Sequence, residues 1–178
     1  MRGSSTSTAS AVNGSLNIPT ANFARTDSAF FSIGTVGETY AWLNTQISVG
    51  TLQMTAPNVL PATTIVTMGQ ADASSPILRL NGFDQTIAGL QSNGSNTGTP
   101  SVVGGSATLS TLTINNSAAF NYAKRLGGTG TNENNLAVVK AGGGAQTLSG
   151  TVANTATGTT TVQNGTLILN KTDNVIAV

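Results

Sequence analysis

The chain has 178 residues, seven Lys and Arg against six Asp and Glu, a net charge of +1, and neither cysteine nor histidine. Zinc, haem, thiol nucleophiles, His-based triads and imidazole acid–base chemistry are thereby excluded, and so little positive charge argues against nucleic acid or an anionic membrane as partner. Charged residues are only 7% and aromatics 4%, yet 38% are apolar, which permits a slim β core where a chain poor in apolar residues would stay disordered.

Residues 1–22 form a Ser/Thr/Ala-rich leader that needs a neighbouring surface, such as a second subunit, to become ordered. Its first fifteen residues lack the apolar stretch of a signal peptide. Five of the eight aromatics follow within residues 23–43: Phe23, Phe30, Phe31, Tyr40 and Trp42. Aromatics this concentrated beside β-branched residues favour a core or end-cap role; surface binding through Trp42 and Tyr40 is the competing reading.

The remainder, 23–178, reads as a single β-solenoid domain. Residues 45–54 (TQISVGTLQM) lay over 160–169 (TTVQNGTLIL), with Gly50 matching Gly165 at a spacing of 115 residues. One unit of about 115 residues plus a partial second copy is therefore expected, with Gly50 and Gly165 on like corners. Between the copies short alternating runs continue at 63–68, 77–80, 109–114 and 120–122. Polar stretches at 91–100 and 127–135 separate them as outward loops. Lys124 with Arg125, the longest run of cations, reads as solvated surface. No run is long and apolar enough to span a bilayer, and none carries the stripe of a ten-residue helix.

Residues 136–171 (LAVVKAGGGAQTLSGTVANTATGTTTVQNGTLILNK) break into strands of three or four residues, at 136–139, 146–148, 160–162 and 166–169, separated by Gly and Asn. Strands so short must be stacked or paired to bury a face. An antiparallel sandwich would need longer strands and charged edge guards, so a coil of parallel strands fits better. At roughly 20–29 residues per turn it would make about six to nine turns. Leu148, Val162, Leu167 and Leu169 are expected inward, with Ile47 and Leu52 in equivalent places.

The same stretch resembles the autotransporter-associated β-strand repeat of bacterial surface proteins. The matching residues are Lys140, Gly142, Gly144, TLSG at 147–150, ANT at 153–155, Thr157, Gly158, TTV at 160–162 and NGTL at 164–167. Ala156 stands where that family usually has an aromatic, and Thr151 and Val152 are extra. The resemblance covers about a fifth of the chain. It implies a right-handed parallel β-helix, export to the cell surface or exterior, and no enzyme activity by itself.

Chemistry is sparse. The six carboxylates are Asp27, Glu38, Asp72, Asp84, Glu133 and Asp173, and no spacing among them suggests a catalytic pair. No calcium-solenoid repeat or phosphate loop occurs, so no metal, cofactor or catalytic residue is expected. Three roles from different classes remain: a structural subunit of an extracellular or surface fibre, an adhesin or glycan-binding passenger fragment of a longer protein, and a β-helix enzyme on polysaccharide. The first is favoured, with the chain as its own partner. The uncharged, β-prone end at 174–178 would meet the N-terminal segment of the next subunit head to tail, through Asn174, Val175, Ile176 and Val178 on one side and Phe23 on the other.

Overall fold

The computed structural model describes residues 30–34 and 40–178 in full and the backbone alone of 10–12, 16–17 and 23–25. Among these residues there is no helix; every element is a short strand, and every strand pairing is parallel. The chain winds as a β-solenoid. Its first turn carries β1 (Ser10–Val12), β2 (Leu16–Asn17) and β3 (Phe23–Arg25), and its second β4 (Phe30–Ile33), β5 (Tyr40–Ala41) and β6 (Asn44–Ile47). The third has β7 (Thr51–Met54) and β8 (Ile65–Met68); the fourth has β9 (Ile77–Arg79), β10 (Gln85–Ile87) and β11 (Gly89–Ser92). The fifth has β12 (Ser101–Val103), β13 (Ser110–Ile114) and β14 (Phe120–Tyr122), and the sixth β15 (Arg125–Leu126), β16 (Leu136–Lys140) and β17 (Ala145–Gly150). An incomplete further turn holds β18 (Thr160–Val162) and β19 (Thr166–Lys171).

Equivalent strands of successive turns stack into three faces. The first face is the six-stranded sheet β1-β4-β7-β9-β12-β15. The second contains β2-β5 and β10-β13-β16-β18, and the third β3-β6-β8-β11 followed by β14-β17-β19. Along the first face Thr51 stands beside Ile77, Ile77 beside Ser101 and Ser101 beside Arg125, steps of 26, 24 and 24 residues. Strand pairing at this separation satisfies each backbone from above and below.

The core follows from the period of two. Leu52, Leu78, Val102 and Leu126 form one inward column, in register and buried. Ile47 and Met68 stack in another, and Tyr122 and Leu148 in a third, all buried. The outward positions between them, Gln53, Arg79, Thr67 and Thr147, remain partly accessible.

Three sequence expectations need correction. First, part of the leader is paired within the chain itself: β1 and β2 lie within residues 1–22 and pair with β4 and β5. The rest of the leader lies outside the described residues. Second, the 115-residue unit is not a structural repeat. Gly50 and Gly165 share a left-handed φ of 69° and 70°, but Gly50 leads from the third face to the first and Gly165 from the second to the third. A Gly-Thr-Leu run describes any tight corner that feeds a strand, so it matched two different ones. Third, the polar stretches do not stand out as free loops. Thr97 N donates to Asp72 O (2.8 Å), and Gly104 N and Gly105 N donate to Glu133 O (3.0 Å) and Asn132 O (2.8 Å), so each stretch lies on the neighbouring turn.

Asparagines serve the corners as buried bridges rather than as stacked ladders. Asn154 accepts from Leu126 N through Oδ1 (2.8 Å) and donates from Nδ2 to Ala177 O (2.5 Å), spanning three turns. Asn116 donates to Ala118 O (2.7 Å) and Ala145 O (2.9 Å) in the same manner.

Candidate functional site: the open end of the solenoid

Strands β18 and β19 each close their sheet, hydrogen-bonded on one side only. The following residues, 174–178, begin another pass along the first face. Asn174 takes a left-handed φ of 63°, tolerable for asparagine, and Val175 N closes the turn on Thr172 O (3.1 Å). Beyond it Ile176 O accepts from Asn154 N (2.9 Å), seating the tail on the turn beneath.

This geometry gathers apolar side chains on one end. Val162, Ile168, Leu169, Ile176 and Val178 are all between 42% and 60% exposed, and Val175 is half-buried. Val162 and Leu169 do occupy the inward register, beside Lys140 and Leu148, but they are open to solvent because no further turn covers them. Leu167 alone of this strand packs partly against the core. The four C-terminal residues singled out in the sequence therefore share one end. Phe23, at the start of β3, sits at the other, where β1, β2 and β3 are each paired on one side only among the described residues.

Tyr40 and Trp42 are not a surface platform. Trp42 is 2% exposed and Tyr40 9%, their rings meeting edge to face at 6.0 Å. The Trp42 indole donates to Thr45 Oγ1 (2.8 Å), which in turn bonds Thr64 Oγ1 (3.0 Å). Burying the large rings while meeting the indole N–H is the favourable solution for so thin a core.

The structure also draws three lysines inward, among them Lys124, which the sequence reading placed at the surface with Arg125. Lys124 is only 8% exposed, and its Nζ donates to Asn96 O (2.6 Å) and Gly98 O (2.9 Å). Lys140 is fully buried, with its Nζ on Gly142 O and Asn164 O. Lys171 donates to Lys124 O (2.8 Å) and Val152 O (2.7 Å). All three are bound by corner carbonyls rather than by carboxylates. Burial lowers the pKa of each, that of Lys171 to about 8 with help from the charge of Arg125. Lys140 follows Leu136 and Val138 at every second residue, and Lys171 follows Leu167 and Leu169, so alternation already marked these two as inward.

Three of the described carboxylates, Asp72, Asp84 and Glu133, serve structure. Asp72 accepts from Ser74 N (2.8 Å) and Gln70 Nε2 (2.5 Å); hydrogen bonds from Ser74 and then Gln70 hold its pKa below the usual value. Asp84 accepts from Thr111 N (2.8 Å). Glu133 pairs with Arg79 at 2.7 Å, the arginine lying across Gly105 of the turn between them. Asp27 and Glu38 lie outside the described residues. Among the described residues no three acidic, His or Cys side chains cluster as metal ligands, and no helix is long and apolar enough to cross a membrane. Comparisons with family models, with curated proteins and with solved structures gave no match.

Proposed function

We propose that this chain is a structural subunit of an extracellular or cell-surface fibre, built by stacking solenoids head to tail. One observation supports this above the rest: among the described residues the strands at both ends are paired on one side only, and the C-terminal end carries five half-exposed aliphatic side chains. An edge of this kind is a template for another β-strand unless charge or a bulge guards it. Here Lys171, the cation of β19, is turned into its own corner. The three edges β1, β2 and β3 of one copy match in number and order the tail, β18 and β19 of the next. Such a contact does not close on itself, so it grows a filament. Main-chain hydrogen bonds and burial of Val162, Leu169 and Ile176 supply the affinity. Placement outside the cell rests on the resemblance of residues 136–171.

The test is sedimentation and electron microscopy of the full chain over a range of concentrations. Filaments whose length grows with concentration are expected, and a double variant Leu169→Lys with Ile176→Lys should remain short and soluble while keeping its β-sheet circular dichroism. A chain that sediments as a monomer at every concentration, or filaments that form equally well from the double variant, would overturn the proposal.

A further inference from the structure

The third face is interrupted once. Strands β11 and β14 lie side by side, but the hydrogen-bonded sheet stops at β11 and a new one begins at β14. Their first residues, Gly89 and Phe120, are 31 apart, against 21 to 27 for the bonded neighbours elsewhere. Phe120 stands at this break. Its ring lies over Gly89 so closely that a Cβ there would come within 2.5 Å of it. One amide crosses the interruption from the turn beyond, Gln146 donating from Nε2 to Leu90 O (3.0 Å).

An open groove of about 470 Å³ follows this interruption on the flank of the solenoid, within the ~300–1,000 Å³ typical of small-ligand sites. The Phe120 ring and the amides of Gln91, Asn93, Asn96 and Asn121 line it. Each of these amides is held by one end. Gln91 Nε2 donates to Thr67 Oγ1 (3.0 Å), Asn93 Oδ1 accepts from Ser95 N (2.9 Å), and Asn121 Oδ1 accepts from Ser149 Oγ (2.7 Å). Asn96 is 6% exposed; its Nδ2 is bound to Ser74 O (3.0 Å), and its Oδ1 is buried without a hydrogen-bond partner. A buried acceptor left in this state is costly unless something donates to it.

The charges select the class of ligand. No carboxylate lines the groove, so it is not built for a cation. Its one ammonium, Lys124, is spent on the carbonyls of Asn96 and Gly98 and is nearly buried, so it makes no anion clamp. What remains is a set of amides, each pre-oriented by a bond at its far end, beside a half-buried aromatic ring. Hydroxyl groups both donate and accept and so match such amides, while the apolar face of a pyranose ring suits an aromatic one. A second depression on the same face shares Gln91 and continues past Thr67 and Gln46, giving a polar track across several turns.

We propose that this track is a binding site for a neutral oligosaccharide, with one sugar on Phe120 and its hydroxyls bonded to Gln91, Asn93 and Asn121. The site is on the flank, away from both ends, so it is independent of stacking between subunits.

Two glycines give a clean test, because a Cβ added at Gly94 or at Gly143 meets no atom within 4 Å. Gly94 lines the groove; Gly143 lies at the corner between β16 and β17 and serves as control. The full chain, Gly94→Leu and Gly143→Leu are applied to a panel of immobilised neutral and acidic glycans and of extended peptides. The expected result is binding of at least one neutral glycan, weakened tenfold or more by Gly94→Leu and unchanged by Gly143→Leu, with sedimentation of both variants as for the parent. Binding of no neutral glycan, selection of peptides or acidic glycans instead, or equal binding by Gly94→Leu would each overturn the assignment.

Discussion

Leu169 stands in register with Leu148 on the adjacent strand, yet Leu169 is 50% exposed and Leu148 is 1% exposed. The two have the same chemistry and the same inward direction. They differ only in that a turn covers Leu148 on both sides and Leu169 on one. Burial in a solenoid is thus a property of stacking, not of the strand that bears the residue.

The pair gives a direct measurement. Leu148→Ala should cost about 2–5 kcal/mol, as for a buried leucine that leaves a cavity, whereas Leu169→Ala should cost the unassembled chain no more than about 1 kcal/mol. Urea midpoints at low protein concentration check this. Equal losses in the two variants would mean that the end is already covered in solution.

Gly142 and Gly143 should respond oppositely to the same change. A Cβ at Gly142 would lie 2.1 Å from Asn116 O and 2.5 Å from its N, both backbone atoms of the turn beneath, while one at Gly143 meets nothing. Gly142→Ala is expected to destabilise by about 1–3 kcal/mol or more through overpacking, and Gly143→Ala to change the thermal midpoint by little.

The buried lysines make stability depend on alkaline pH. Folding lowers the pKa of Lys171 from 10.5 to about 8, and burial shifts Lys124 and Lys140 in the same direction. Between pH 8 and 10.5 the unfolded chain therefore binds more protons than the folded one, so stability rises with pH across that window. Tyr122 opposes this above pH 10: burial raises its phenol well beyond the usual value of 10.0, so there the unfolded chain alone loses the proton and stability falls. A thermal midpoint that climbs from about pH 8 to about pH 10 and then levels or drops is expected, and Lys171→Met should flatten the climb. A midpoint that falls steadily over the same window would contradict it.

Glu133→Gln removes the charge that Arg79 reaches across one turn to meet. Because both side chains are mostly buried and Arg79 Nε already lacks a partner, the loss should be about 1–3 kcal/mol, more than for an exposed pair. The same change should raise proteolytic cleavage within 127–135, since that stretch is fastened to the first face partly through Glu133.

What the residues determined unaided was the local portion of the structure. Alternation in 45–54 and 145–150 marked Ile47, Leu52 and Leu148 as inward, and they are buried. Glycine and asparagine marked the corners, as the left-handed φ values of Gly50, Asn81 and Gly165 bear out. The absence of any helical stripe left only stacked strands, and the solenoid is what forms. These signals pass between neighbours two residues apart, so a linear reading captures them.

Tertiary structure decided everything that depends on which turn lies above which. Corners vary in length, so the step between stacked residues runs from 21 to 27, and no local motif tells one corner from another. That is why Gly50 and Gly165 looked equivalent and are not. It is also why Lys124 found the carbonyls of Asn96 and Gly98, and why the Phe120 ring came to lie over Gly89. Each of those contacts joins residues brought together by the winding of the chain, and their energies belong to the stack rather than to the segment.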